Sequence, residues 1–246
     1  MPSAQCSYRG RDGGHDAPVP WAAEVDRIVV VWWTGDEYRL ADVESAALSL
    51  VQGANLVGEP PRDTVRADLA ATEGEPLSEA LVRRLKRRAA LMRSIQVCAA
   101  LERAVELSIE HVSARVQFGR PPLAKFQAIQ NLISDAAAEA ALARAATEAA
   151  LDVAVATDWD SANLDFLIAT SRSCAGHAAS VVTRNAHQVH GGAIGTTREH
   201  RLHEFTRAAL AWRAEYGSVR HWDEQIAAAA TAAGPEGLWA LIADSR

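Results

Sequence analysis

The feature that most constrains this chain is a long amphipathic pattern with no glycine or proline between Pro76 and Gly119. Apolar residues recur there every three or four positions, which predicts one helix from about Ser78 to Gln117. Ser78 suits the N-cap position and Glu79 suits the first turn. At 1.5 Å per residue, such a helix is roughly 60 Å long. Its apolar stripe consists of Leu91, Ile95, Cys98, Leu101, Val105, Ile109, Val112 and Val116.

Further helices are predicted between the glycine and proline breaks that follow. Long helices joined by short breaks pack as antiparallel neighbours, and abundant alanine lets them approach closely. The sequence therefore predicts a mainly α protein, an antiparallel helical bundle with a small N-terminal β region. The four further helices run from Pro122 to about Ala156, from Ser161 to about His190, from near Glu199 to about Glu215, and from Val219 to Ala233.

The N-terminal part of the chain has a different character. Residues 1–20 are rich in glycine and proline and are predicted to be a flexible arm. The β-branched and aromatic run 28–33 predicts a buried strand, and 37–43 predicts its return strand after a turn. Residues 64–69 are predicted to form one more strand. We therefore divide the chain into an arm (1–20), a β region (21–75) and a helical bundle (76–246).

Composition and the absence of several motifs exclude some function classes. The net charge of −6 argues against a nucleic-acid-binding protein. The sequence contains no run of 18 apolar residues, so no membrane-spanning helix is predicted. The N-terminus has no apolar signal-peptide region. The three cysteines are far apart, which argues against a disulfide framework or thiolate metal site and favours the cytoplasm. Phosphate-loop, Gly-x-Ser-x-Gly and His-Glu-x-x-His motifs are all missing, so hydrolase and kinase functions have no support.

Two segments are more specific than the helical periodicity. Residues 115–127 read RVQFGRPPLAKFQ, and residues 188–195 read QVHGGAIG. In this order and at this spacing they resemble acyl-CoA dehydrogenases, in which one helix ends in Arg-x-x-Phe-Gly, Phe-Gln follows, and a later helix ends in Gln-x-x-Gly-Gly. The resemblance covers about residues 22–230. It implies a complete C-terminal helical domain and only part of the middle β-domain, as in shortened subunits of heteromeric bacterial members.

The resemblance implies FAD as cofactor and α,β-desaturation of an acyl-CoA as the reaction. The residue types suit this cofactor, because a guanidinium grips a pyrophosphate in a bidentate fork, an aromatic ring packs on a flat ring, and glycines allow close backbone approach. Taken singly, each residue has a plainer interpretation as a solvated helix end, a helix stop or a core side chain. The residues assigned to FAD are Arg115, Phe118, Gln127, Gln188, Gly191, Gly192 and Ser218.

The position of the catalytic base differs from many relatives. Where these carry Glu-Gly-Thr after the fourth helix, this chain carries Tyr216-Gly217-Ser218. A tyrosine has a reference pKa of about 10 and is a poor base at neutral pH. Glu215, one position earlier, is the only local candidate base. Other relatives place the base on the first helix, where residues 88–91 hold no carboxylate.

These departures resemble a base-lacking subunit that acts with another acyl-CoA dehydrogenase subunit in an α2β2-type or similar assembly. The resemblance further implies a bulky acyl-CoA substrate, for which steroid catabolism is an analogy, and electron-transfer flavoprotein or another acceptor. The alternative is a non-catalytic scaffold or dimerisation subunit. His200 and His203 share a helix face, but histidines that form hydrogen bonds at a helix junction are favoured over metal ligands, so no metal site is predicted. The basic run 83–88 is interpreted as a solvated helix face rather than a phosphate or nucleic-acid site.

Overall fold

Five helices dominate the part of the chain that the computed structural model describes, namely residues 4–7, 16–53, 62–117, 119–191 and 200–243. Seven short strands precede them in the sequence. The predicted fold class, mainly α with a small N-terminal β region, is confirmed. The helices are α1 (Glu79–Ala114), α2 (Gln127–Ala156), α3 (Leu164–His190), α4 (Arg201–Trp212) and α5 (Val219–Ala243).

The chain divides into two compact units, Met1–Leu85 and Lys86–Arg246. The sequence predicts this boundary ten residues earlier, before α1, because Pro76 is the last helix breaker before that helix. The first residues of α1 group instead with the N-terminal unit. The assignment of these units as a partial middle β-domain and a C-terminal helical domain stays a prediction.

The N-terminal unit contains two small sheets. One has the strand order β1-β3-β4-β7, with β1 parallel to β3 and the other pairs antiparallel. The other has the order β2-β6-β5 and is antiparallel. The strands are β1 (Ala4–Ser7), β2 (Asp16–Pro20), β3 (Arg27–Trp33), β4 (Tyr38–Glu44), β5 (Ser49–Val51), β6 (Arg62–Arg66) and β7 (Glu75–Leu77).

The buried core of this unit is formed where the two sheets face each other. Ile28, Val30 and Trp32 alternate along β3, and they pack in one cluster with Val19 and Val65 of the second sheet. The alternation is the period-two pattern of a half-buried strand. The prediction of a flexible arm over residues 1–20 is wrong at residues 4–7 and 16–20, which are strands, and the rest of the arm lies outside the described residues. Their backbone hydrogen bonds to β3 and β6 outweigh the local preference of glycine and proline for irregular structure.

The C-terminal unit is an up-and-down arrangement in which α2 and α3 have the most extensive contact. The stripe on α1 supplies Leu91, Cys98, Leu101 and Val112 to the buried core, as predicted. Val116, which lies beyond the end of α1, is half exposed. Apart from the end of α5, the predicted helix limits in the described residues agree with the structure to within about five residues, because glycine and proline mark most of them. The predicted start of α4 near Glu199 lies outside the described residues.

The buried face of α2 is formed by small residues and not by its large apolar ones. The large apolar residues at its N-terminal end, such as Phe126 and Ile129, are only half buried. The buried residues are mostly alanines, which have no rotamer entropy to lose and let α2 approach α3 closely. These residues are Ala136, Ala140, Ala143, Thr147, Ala150, Val153 and Ala154.

The helix α5 departs from the predicted end at Ala233. Gly234 has φ 64° and ψ 178°, which interrupts the helix, and a second segment continues after Pro235 to Ala243. By length and hydropathy alone, α5 could cross a membrane, which is weak evidence because helices of other kinds pass the same test. The expectation of no membrane partner therefore stays a prediction.

Candidate functional site

Four helix ends meet at one end of the C-terminal unit, which we call the Arg115 end: the C-terminus of α1, the N-terminus of α2, the C-terminus of α3 and the N-terminus of α4. Three histidines join three of these ends. The rings of His111 and His190 stack with centroids 4.3 Å apart, and His200 lies edge-on to His190 at 5.2 Å. His200 also caps α4, since its Nδ1 accepts a hydrogen bond from the Leu202 N–H at 3.2 Å.

Asn185 fixes the fourth helix end. Its buried side-chain amide donates to the Leu132 carbonyl at 3.1 Å and to the Asp135 carboxylate at 2.9 Å, both near the start of α2. The contact joins the last turns of α3 to the first turns of α2. The Arg115 end is therefore held by polar and ring contacts as well as by the apolar core.

The Arg115 end brings together four of the seven residues that the sequence assigned to a cofactor. Arg115 directly follows α1, Gln127 begins α2, and Gln188 and Gly191 lie at the end of α3. All four are exposed to solvent. Arg115 forms no ion pair with a carboxylate in the described ranges, while the Gln127 amide donates to Asn131 at 3.0 Å. Phe118 and Gly192 lie outside the described residues.

Gly191 has the backbone conformation that the close approach of a ligand requires. Its φ of 54° with ψ of −136° is a combination that L-residues rarely adopt, and a Cβ placed there would face nearly open space, with the Gln188 carbonyl oxygen 3.9 Å away. A planar guanidinium, two side-chain amides and an uncrowded glycine turn fit the phosphates and polar ring atoms of a dinucleotide. The donor set is thus chemically suited to FAD.

Two histidines of the Arg115 end, His111 and His190, are in an environment that favours their neutral forms. Burial lowers the pKa of His190 to about 4, although the hydrogen bond to the Ala186 carbonyl at 2.8 Å acts in the opposite direction. Burial, followed by the charge of Arg115, also lowers the pKa of His111. In the described part of the chain, no group of three or more metal-ligating side chains is arranged to hold a metal ion.

The candidate base Glu215 lies elsewhere, in a turn formed by residues 213–218 after α4. Its carboxylate is 7% exposed and forms an ion pair with Arg93 of α1. The guanidinium of Arg93 also lies over the ring of Trp212, 5.7 Å from the centroid. Glu215 is therefore committed to a buried ion pair, which is a different environment from that of an accessible base.

Arg172 of α3 forms hydrogen bonds to the backbone of the same turn. Its buried Nη2 donates to the carbonyls of Trp212, Arg213 and Glu215 at 3.2, 2.9 and 2.7 Å. Trp212 is the last residue of α4 and Arg213 is its C-cap, so the guanidinium helps to satisfy the carbonyls at the C-terminal end of that helix. Burial lowers the pKa of Arg172 to about 10, and the charge of Glu215 opposes this effect.

The turn presents Tyr216 and Ser218 at the surface. Tyr216 has φ 59° and is 42% exposed. Gly217 has φ 139°, and a Cβ there would lie 2.8–2.9 Å from the rings of His221 and Trp222, so only glycine fits. Ser218 accepts a hydrogen bond from the His221 N–H at 3.1 Å and thus caps α5.

The two groups of predicted site residues are far apart. Arg93, which contacts Glu215, and Ala114, which adjoins Arg115, are both on α1 and roughly 30 Å apart at 1.5 Å per residue. The packed core of the bundle lies between them. Ser218 and Glu215 therefore do not form one compact site with Arg115.

Comparison with known proteins identifies the origin of this arrangement. The model of the acyl-CoA dehydrogenase C-terminal domain matches residues 82–231, which is more than half of the chain. The chain belongs to the acyl-CoA dehydrogenase family. No curated protein matches the chain.

Solved structures of acyl-CoA dehydrogenases and related proteins have the same fold. The ChsE4-ChsE5 complex from Mycobacterium tuberculosis is 22% identical with a TM-score of 0.74, over 95% of this chain and 63% of that chain. The Tcur3481-Tcur3483 steroid ACAD G363A variant is 17% identical with a TM-score of 0.75, over 94% and 63%. PigA with FAD and proline is 18% identical with a TM-score of 0.77, over 94% and 68%. The chain thus spans less than two thirds of the first two relatives.

Within this acyl-CoA dehydrogenase domain, sequence reasoning missed three important residues. The sequence places His111 within the first predicted helix without indicating a role, and it indicates no role for Arg93 or Arg172. Each of the two arginines contacts a residue far away along the chain, with separations of 122 and 43 positions to Glu215. One signal was present, because Arg172 is a charged residue within a helix whose neighbours are apolar or small.

Proposed function

We propose that this chain is a subunit of a flavin-dependent acyl-CoA dehydrogenase that catalyses α,β-desaturation of an acyl-CoA thioester. In this proposal the chain contributes part of the FAD site and needs a partner subunit for the rest. The observation that carries it is the convergence of exposed Arg115, Gln127, Gln188 and Gly191 at one end of the bundle. FAD supplies the hydride acceptor when it is bound.

Each of these residues has a distinct role in the proposal. Arg115 has no competing carboxylate in the described residues and binds the pyrophosphate through two parallel N–H donors. Gly191 lets the backbone approach the cofactor. Gln127 and Gln188 exchange hydrogen bonds with ribose or ring atoms. Phe118 and Gly192 remain proposed contacts on the strength of the sequence motif alone.

A partner subunit is needed because these residues form an open surface. A dinucleotide bound to four exposed residues would remain largely in water, whereas a cofactor site buries most of its ligand. We propose a second acyl-CoA dehydrogenase subunit as the cover, in an α2β2-type assembly. The ChsE4-ChsE5 complex and Tcur3481-Tcur3483 are relatives whose names already denote two chains.

The partner also supplies the catalytic base in this proposal. Glu215 is buried against Arg93, and Tyr216 occupies the position of the usual glutamate. Proton abstraction requires a base within hydrogen-bond reach of the substrate, and an accessible carboxylate is missing from the 213–218 turn. Ser218 belongs to the 213–218 turn, which contacts Arg93 about 30 Å along α1 from Ala114, so it would contact a different cofactor or the substrate phosphates. A bulky acyl-CoA and an acceptor such as electron-transfer flavoprotein complete the proposal, in the cytoplasm.

The test is flavin content after co-purification with the partner. A pull-down identifies the co-eluting chain, and the two are then co-expressed. We expect a yellow complex, and Arg115→Ala should lose most of the visible flavin absorbance. Arg103→Ala is the matched control, since Arg103 is a surface arginine on the same helix that pairs with Glu106. Equal flavin content in both variants would remove Arg115 from the site.

The alternative function is a non-catalytic scaffold subunit, which the buried ion pair of Glu215 favours. In that case the partner alone holds its full complement of FAD. Adding this chain would then change neither the flavin stoichiometry nor its fluorescence. A rise in bound FAD on addition of this chain would favour the catalytic assembly.

A further inference from the structure

We propose that His111, His190 and His200, which we call the histidine stack, form an acid-sensitive latch that holds the Arg115 end in its flavin-binding arrangement. Proton uptake by the stack would open this end and release the cofactor. The inference rests on the proposed function, because it assigns a control to the same site.

The geometry of the stack joins three separate helix ends. The rings of His111 and His190 lie nearly parallel, with 24° between their planes, and the His200 ring meets the His190 ring edge-on at 75°. His111 belongs to the last turn of α1, His190 is the last residue of α3, and His200 is the N-cap of α4. No other ring contact among the described residues links three helices in this way.

Hydrogen bonds define which nitrogens carry protons in the latched state. The Nδ1–H of His190 donates to the Ala186 carbonyl, which leaves Nε2 as the atom that would take a second proton. The Nδ1 of His200 accepts from the Leu202 N–H, so it caps α4 only while it is unprotonated. Proton uptake therefore places a charge on a buried ring in one case and removes a helix cap in the other.

The surroundings make this charge difficult to accommodate. Arg115, which directly follows α1, acts on His111 as a cation, and His111, His200 and His187 each disfavour a charge on His190. His187 in turn contacts His203 of α4 with ring centroids 5.6 Å apart. From α2, the Asp135 carboxylate approaches α3 but accepts its hydrogen bond from Asn185.

Two effects oppose the opening. The carbonyls at the C-terminal ends of α1 and α3 favour a cation at His111 and His190. The carboxylate of Glu204, in the first turn of α4, favours a positive charge on the histidines of that helix. The burial of His190, which is 4% exposed, disfavours the charged ring and so acts against both effects. The stack is therefore stable when neutral and weakens as protons bind.

Hydrogen exchange of the full-length chain tests the latch without a cofactor. For an opening in which one histidine takes up a proton, the opening constant should rise about tenfold per pH unit below the pKa of about 6.5 of an exposed histidine, after correction for the intrinsic exchange rate. We expect this rise at the backbone amides of residues 111–115 and 185–191 between pH 7 and pH 5. His111→Phe retains a ring without a titrating nitrogen, and His200→Asn retains a strong cap. Both should show a smaller rise.

The control is His177→Gln on α3, because His177 is 60% exposed and pairs with Asp223 outside the stack. It should retain the acid-dependent rise. Equal protection of the wild-type amides at both pH values would overturn the latch. So would an equal rise in His111→Phe, His200→Asn and the control.

Retention of FAD by the complex, followed by flavin fluorescence over the same pH range, tests the link to function. Release should follow the opening in the wild type and shift to lower pH in His111→Phe and His200→Asn. If the Arg115 end opens on acidification but FAD stays bound, the proposal that the histidine stack controls cofactor release is overturned. A complex that binds no FAD at any pH would contradict the proposed function, while the exchange data would still decide whether the stack opens.

Discussion

The ion pair between Arg93 and Glu215 should be a major determinant of stability in the C-terminal unit. The side chains are 17% and 7% exposed. Removal of one partner of a buried pair costs about 3–5 kcal/mol, because the other charge is left without compensation. Arg93→Met should lie near the lower limit, at about 3 kcal/mol, because the guanidinium is partly accessible and Arg172 still acts on Glu215.

A double-mutant cycle isolates the pair. We would measure the free energy of unfolding of Arg93→Met, Glu215→Gln and the double variant in urea, with tryptophan fluorescence as the signal. Since Trp212 lies beside Arg93, the signal reports on this region. The cost of the double variant should fall short of the sum of the single costs by roughly 2 kcal/mol, the range for neighbouring charges. The exposed pair Arg103–Glu106 is the control, and no measurable coupling is expected there.

If the costs of the two single variants simply add up in the double variant, the reasoning is refuted, because two residues that stabilise each other through an ion pair must show a coupling energy. The same variants bear on catalysis. If Glu215 is committed to Arg93, Glu215→Gln should change the kcat of the folded complex little. A large loss of kcat with unchanged stability would instead identify Glu215 as a base and contradict the assignment of the base to the partner.

Three further predictions concern other parts of the unit. Gly217→Ala should cost about 2–3 kcal/mol, from strain at positive φ and from the clash with Trp222, and urea unfolding would measure it. Arg87→Ala loses two hydrogen bonds to Asp165, at 2.7 and 2.8 Å, and should cost about 1–2 kcal/mol by thermal denaturation. Because the pKa of His190 is lowered to about 4 in the folded state, its contribution to stability is unaffected above pH 6.5 and falls on acidification towards pH 4. The loss is at most about 3 kcal/mol, and unfolding at a series of pH values would detect it.

The helices were predictable because their information is local. A period of three to four residues and terminal glycines and prolines are properties of contiguous sequence, and α1 and α3 follow them closely. The strands β5 and β7, each three residues long, carry too short a pattern to recognise. The buried alanine face of α2 was missed for another reason, since alanine alone does not indicate which side of a helix is inside.

The site was predictable only in part for the same reason. The exposed residues at the Arg115 end belong to motifs that occupy consecutive positions. The environment of Glu215 depends on Arg93, 122 positions away, and no local pattern encodes such a contact. The sequence therefore indicates Glu215 as a candidate base, whereas the ion pair with Arg93 explains why its carboxylate is buried.

The helix α4 connects the two groups of site residues physically. It has 12 residues, a length at which an isolated helix is marginal in water, so its ends must be stabilised by other parts of the protein. His200 of the histidine stack caps its first turn, and Arg172 donates to the carbonyls of Trp212, its last residue, and of Arg213, its C-cap. Loss of either contact would fray α4 from the end that the contact caps. Fraying leaves a shorter helix to hold the opposite end in place. The Arg115 end and the 213–218 turn are thus separate in space but share one short helix, because both caps act on it.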